Sequence, residues 1–146
     1  IGPSGSGKSS AVRSGLIPAI RKGALPESDQ WLVATMLPGT MPIAELEAAL
    51  LRTRLDAPES LLDQLDGSDD QILRAVLRVL PNERSTLLLI IDQLEELFTL
   101  CEPEEATAFL DALVVAAGDH RSRVRVVSTL RADFYAESLK NTSRRP

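Results

Sequence analysis

Three short runs carry residues whose types and spacing suit phosphate chemistry. The first is Gly2-Pro3-Ser4-Gly5-Ser6-Gly7-Lys8-Ser9, which has the form G-x-x-x-x-G-K-[ST]. Glycine has no Cβ, so a backbone of this kind turns tightly and comes close to a phosphate chain. The N–H groups of such a loop point inward as an anion nest, at the positive end of the helix that follows. In this pattern the lysine, Lys8, reaches the β- and γ-phosphates, and the hydroxyl of Ser9 ligates Mg²⁺. The candidate phosphate-binding residues are therefore Gly2, Pro3, Ser4, Gly5, Ser6, Gly7, Lys8, Ser9 and Ser10. A plain Gly/Ser linker is the competing reading. It does not explain why Lys-Ser-Ser runs straight into a helical stretch.

The second run is Leu87-Leu88-Leu89-Ile90-Ile91, followed by Asp92. Five apolar residues without alternation suit a central parallel strand covered on both faces. A carboxylate at the carboxyl end of such a strand stands at the sheet edge where α/β folds bind ligands. There Asp92 can serve Mg²⁺ through its waters, opposite Ser9. Gln93 comes next, and Glu95 and Glu96 follow three and four residues after Asp92. Hydrolysis needs a group to orient and deprotonate the attacking water, and either glutamate can reach back to do so. Otherwise both sit on a solvated first turn, where carboxylates suit a helix N-terminus. The third run is the apolar stretch 124–130, ending in Arg131. A cation at a strand end can point at a γ-phosphate and report its presence. Alone, Arg131 would read as a surface residue; the two upstream runs favour the sensor reading.

The elements that must position these residues are readable in outline. Residues 8–20 read as a helix with Val12, Leu16, Ala19 and Ile20 on one face, kinked or restarted at Pro18. A loop over 23–29 leads to a buried strand over 31–37, stopped by Pro38-Gly39. Pro42 opens a helix over 43–55, and helical pieces follow at 61–65 and 71–80. After Leu87–Ile91 comes a helix over 104–117 ended by Gly118, then the strand 124–130. Strands alternate with helices, which predicts a three-layer α/β fold with a mostly parallel sheet.

A chain of 146 residues, 44 % apolar, is one domain's worth and enough to bury a core. No apolar run approaches a membrane span. No stretch of these residues reads as a signal peptide, and Ile1 is not an initiator methionine; the reading is of a fragment lacking its first strand. Cys101 has no internal disulfide partner and reads as a half-buried thiol. One Cys and one His, His120, leave no transition-metal site. A reducing, cytoplasmic setting fits this usage. The net charge of −5 does not favour nucleic acid. Residues 120–146 carry 7 basic and 2 acidic side chains, read as a solvated strand entry and end rather than a nucleic-acid surface.

Taken together, Gly2 through Ile20, Pro38-Gly39-Thr40 with Pro42, Ile91-Asp92-Gln93-Leu94-Glu95-Glu96-Leu97-Phe98-Thr99 and Thr129-Leu130-Arg131-Ala132-Asp133-Phe134-Tyr135 resemble the P-loop domain of STAND signalling NTPases. The likeness is to the bacterial novel STAND group, often fused to WD-repeat propellers, and it spans residues 1–146 as a partial domain. Leu37 stands where an Arg is expected before Pro-Gly. The resemblance implies an α/β P-loop NTPase fold of the additional-strand (ASCE) type, truncated at both ends, with the strand 124–130 between the P-loop strand and Leu87–Ile91. It implies Arg131 as the sensor arginine, ATP and Mg²⁺ as cofactors, and slow hydrolysis. It further implies a switch that self-associates when ATP is bound and is off with ADP. Two other classes remain open on the residues alone: an AAA+-like mechanical ATPase, and a nucleotide-binding module without hydrolysis. ATP over GTP rests on the resemblance, supported by the lack of an Asn-Lys-x-Asp motif.

Overall fold

The computed structural model describes residues 1–118 and 122–134, so His120, Tyr135 and most of the basic end fall outside it. Its sheet has three parallel strands, β1 (Leu32–Met36), β2 (Leu87–Ile91) and β3 (Val124–Ser128), in the order β1-β2-β3. Leu32 pairs with Leu87 and Met36 with Ile91; Leu87 pairs with Val124 and Ile91 with Ser128. All five β2 side chains are buried, as expected of a strand without alternation. Leu88 and Ile90 pack on one face with Ile20, and with the half-buried Val12, Leu16 and Ile17. Leu87, Leu89 and Ile91 turn to the other face, toward α3 (Pro42–Leu51), α4 (Gln71–Val79) and α6 (Pro103–Gly118). The result is helix, sheet and helix in three layers, with β2 at the centre and its carboxyl end delivering Asp92.

The first helix is continuous but changes pitch. It runs as α1 (Lys8–Ala11), a π-helical turn (Val12–Leu16) and α2 (Ile17–Arg21). Ile17 donates its N–H five residues back, to Val12 O. Pro18 has no N–H to give to the preceding turn, and the widened turn just ahead of it absorbs that loss. The expected kink is thus a change of register that keeps the helix running over the sheet.

Two helical expectations are corrected. The helix expected over 43–55 ends at Leu51. Thr53 gives both its N–H, at 3.0 Å, and its hydroxyl, at 2.7 Å, to Leu50 O, while the Arg54 guanidinium bonds Val79 O at 3.1 Å and the Asp56 carboxylate. These bonds draw the chain out of the helical path. Residues 61–65 form a single turn, not a helix, closed by the Leu65 N–H on Leu61 O at 3.1 Å. Leu61 and Leu65 anchor that turn in the core, and the Glu47 carboxylate accepts the Leu61 N–H at 2.7 Å.

The strand expected over 124–130 stops at Ser128, but its path continues. Thr129 N–H donates to Ile91 O at 3.0 Å, on the β2 side. Leu130 O and Ala132 N–H, out of phase with it, bond Gly2 at 3.2 and 3.0 Å, a parallel bridge between Gly2 and Arg131. The glycine-rich loop is therefore tied to β3's continuation, on the edge away from β2.

Candidate functional site

The loop takes its shape from Gly5 and Gly7, whose φ angles of 73° and 80° are in the left-handed region. A side chain at either position would be strained, and Gly7 also caps α1. Lys8 folds back across the loop mouth, where its Nζ donates to Gly2 O and Pro3 O, both at 2.8 Å. Ser4, Gly5, Ser6, Gly7, Lys8, Ser9 and Ser10 all line one cavity of about 550 Å³. Its remaining wall comes from the ends of β2 and β3: Gln93, Glu95, Glu96, Thr99, Thr129, Arg131 and Phe134. Gly2 and Pro3 do not line the cavity; they hold the lysine that does.

Asp92 is 4 % exposed and sits behind this wall. Ser9 Oγ donates to Asp92 Oδ1 at 2.7 Å, joining two residues that the sequence paired only by pattern. Thr129 Oγ1 donates to the same carboxylate oxygen. Arg13 Nη2 lies 3.8 Å from Oδ2. Gln93 follows with a φ of 56°, unusual for a residue with a side chain and worth about 1–2 kcal/mol of strain. Its N–H donates to Thr129 Oγ1 at 2.8 Å, and Leu94 N–H donates to Thr129 O at 2.9 Å. These bonds hold the strained turn, which releases the chain into α5 (Glu96–Thr99).

The two glutamates separate here. Glu95 is 8 % exposed, and its Oε2 accepts the Arg131 N–H at 3.3 Å. Glu96 is half-buried, and its Oε2 accepts the Gly39 N–H at 2.9 Å, tying the turn after β1 to the start of α5. Neither is the freely solvated first-turn carboxylate of the competing reading. Arg131 points its guanidinium at Asp133, with Nε–Oδ1 at 3.2 Å and Nη2–Oδ2 at 2.8 Å, over the Phe134 ring. That hydrogen bond holds the Asp133 carboxyl below the usual carboxylate range. Thr129, Gly39 and Arg13 lie in runs that carry the resemblance but were given no site role from the sequence. Thr129 stood in view two residues before Arg131, but only the sheet shows what its hydroxyl touches. Cys101 lies outside the cavity, half-buried as expected; burial pushes its thiol pKa up.

Among the described residues no three His, Cys, Asp or Glu side chains cluster in a way that could hold a metal ion. Ser9, on the cavity wall, and Asp92, behind it, instead bring two hard oxygen donors within 2.7 Å of each other. That donor set fits Mg²⁺, which takes few protein ligands, keeps waters and shares substrate phosphates. No helix among the described residues is long and apolar enough to cross a membrane.

A parallel sheet between helix layers, with a glycine-rich loop and its lysine at the ligand-binding edge, is a P-loop NTPase-like arrangement. The chain belongs to the family described as Novel STAND NTPase 1, whose model matches residues 1–144. No curated protein and no solved structure matches it. Membership of an NTPase family carries nucleotide binding with it, usually with Mg²⁺.

Proposed function

We propose that this domain is the ATP-binding switch of a STAND-type signalling protein, with slow Mg²⁺-dependent hydrolysis. The observation that carries the reading is the single cavity walled by the loop on one side and by Glu95, Glu96 and Arg131 on the other. On this reading Lys8 leaves its loop carbonyls for the β- and γ-phosphates. Ser9 and Asp92 hold Mg²⁺, which neutralises phosphate charge. Glu95 or Glu96 orients the water, and Arg131 reads the γ-phosphate. The Gly2–Arg131 bridge supports the additional-strand order, because it places the loop beside β3 and not beside β2.

Lys8→Ala tests this most directly. Loss of a charge-assisted contact is expected to cost at least about 1.5–3 kcal/mol of ATP affinity, measured by calorimetry with Mg²⁺ present. An unchanged affinity sinks the reading. A second reading, nucleotide binding without turnover, draws on the bonds that Glu95 and Glu96 already make to the Arg131 and Gly39 N–H groups. Product analysis in a single turnover separates the two.

A further inference from the structure

Thr129 uses its N–H, its carbonyl and its hydroxyl to bond across the sheet end. Its N–H donates to Ile91 O at 3.0 Å and its carbonyl accepts Leu94 N–H at 2.9 Å. Its hydroxyl donates to Asp92 Oδ1 and accepts the Gln93 N–H at 2.8 Å. Four consecutive residues, 91 to 94, thus bond to one residue of the neighbouring strand, which is itself 5 % exposed.

The direction of these bonds matters. A hydroxyl has one hydrogen to give. The Gln93 N–H occupies the acceptor side of Thr129 Oγ1, so its hydrogen is left for Asp92. Asp92 Oδ1 then receives two hydroxyl hydrogens, one from Ser9 at 2.7 Å and one from Thr129. With both bonds in place the carboxylate cannot rotate freely, and the Ser9 hydroxyl keeps its lone pairs for a cation. Orientation of a metal-binding carboxylate by an outer hydrogen bond is a known determinant of metal affinity.

We infer that Thr129 is a positioning residue for the Mg²⁺ site, acting through Asp92, and that it couples β3 to metal binding. The inference rests on the proposed ATP and Mg²⁺ reading. It makes the segment that runs on from β3 to Arg131 also the segment that aims the metal carboxylate. Loss of the hydroxyl then weakens Mg²⁺-dependent binding without touching the phosphate loop.

The test compares wild type, Thr129→Val and Thr129→Ser in the whole protein. Valine keeps the shape and removes both hydroxyl bonds; serine keeps them. ATP dissociation constants are measured by calorimetry in saturating Mg²⁺ and in EDTA, with thermal unfolding recorded for each protein. Wild type is expected to bind more tightly with Mg²⁺. Thr129→Val is expected to lose about 10- to 100-fold of that gain, with its EDTA affinity within about twofold of wild type. Thr129→Ser is expected to restore the gain. A merely structural role would lower the EDTA affinity and the melting temperature together, and leave the gain from Mg²⁺ intact in the folded fraction. That outcome, or a valine variant that keeps the full gain, overturns the inference while the ATP reading stands. If wild type itself gains nothing from Mg²⁺, the ATP and Mg²⁺ reading fails and this inference falls with it.

Discussion

Glu95 and Glu96 are adjacent in sequence and attached to different parts of the molecule, which makes their roles separable. Glu96 braces Gly39, 57 residues away, and Glu95 sits under the Arg131 N–H. A Glu→Gln change keeps an oxygen that accepts either N–H and removes only the charge and basicity. Each brace therefore survives the substitution. Whichever carboxylate orients the water, its glutamine variant is expected to hold ATP as tightly as wild type while turnover falls about 10²- to 10⁴-fold, the usual worth of a general base. Single-turnover hydrolysis with parallel binding measurements checks this. If both variants hydrolyse at the wild-type rate, the base lies elsewhere and Gln93, in its strained turn, is the residue to examine next. Pattern along the chain picked out Lys8, Ser9, Asp92 and the glutamate pair as candidates, because each belongs to a run whose residue types suit phosphate chemistry. It was not enough for Thr129 or Gly39. Their parts depend on partners 37 and 57 residues distant, and only the parallel register of the strands brings those partners together.

At the level of elements, β2 was legible because five consecutive apolar residues, too few for a buried helix of ordinary length, suit a strand between two layers. The turn at 61–65 was misread because two leucines four apart look like a helical face, although they only anchor a loop. The end of α3 was misread because Thr53 and Arg54 stop the helix through bonds that the apolar pattern does not encode. The loop into α4 has its own electrostatic lock. Asp66 Oδ1 accepts the Ser68 hydroxyl at 2.6 Å, the Ser68 N–H at 3.0 Å and Arg74 Nη2 at 2.7 Å. The Ser68 hydroxyl is the main cause that holds the Asp66 pKa down to about 2, from an ordinary 3.8. A carboxyl whose pKa is lowered by folding stabilises the fold when ionised. That contribution is complete above pH 3.8 and is lost as the pH falls toward 2. Asp66→Asn is therefore expected to melt below wild type at pH 6, with the gap closing as the pH falls through that window. Thermal unfolding at stepped pH values checks it; a gap that stays constant down to pH 2 shows that the lock is not electrostatic.

On the scale of the whole molecule, the loop, the candidate metal carboxylate Asp92 and the candidate sensor meet at one junction of the sheet. Arg131 stands where β3's continuation bridges Gly2, its N–H rests on Glu95, and its guanidinium is held by Asp133. A γ-phosphate offers that guanidinium a second anionic partner, and ADP does not. The planar fork of arginine pairs with phosphate oxygens and keeps its charge at any working pH. Because the Arg131 N–H bonds Glu95 while its neighbours Leu130 and Ala132 bond Gly2, a change of partner by its side chain acts on the segment that joins the glutamate wall to the loop. A switch needs such a difference, since a ligand that binds both states equally shifts nothing. Arg131→Ala is expected to weaken ATP binding by about 1.5–3 kcal/mol and to leave ADP binding nearly unchanged. The same variant, in the whole protein, is expected not to self-associate on addition of ATP. The deciding quantity is the ratio of ATP to ADP dissociation constants in wild type and variant, at fixed Mg²⁺ and salt. If the two proteins give the same ratio, Arg131 is only the partner of Asp133, and the γ-phosphate must be read from another side of the cavity.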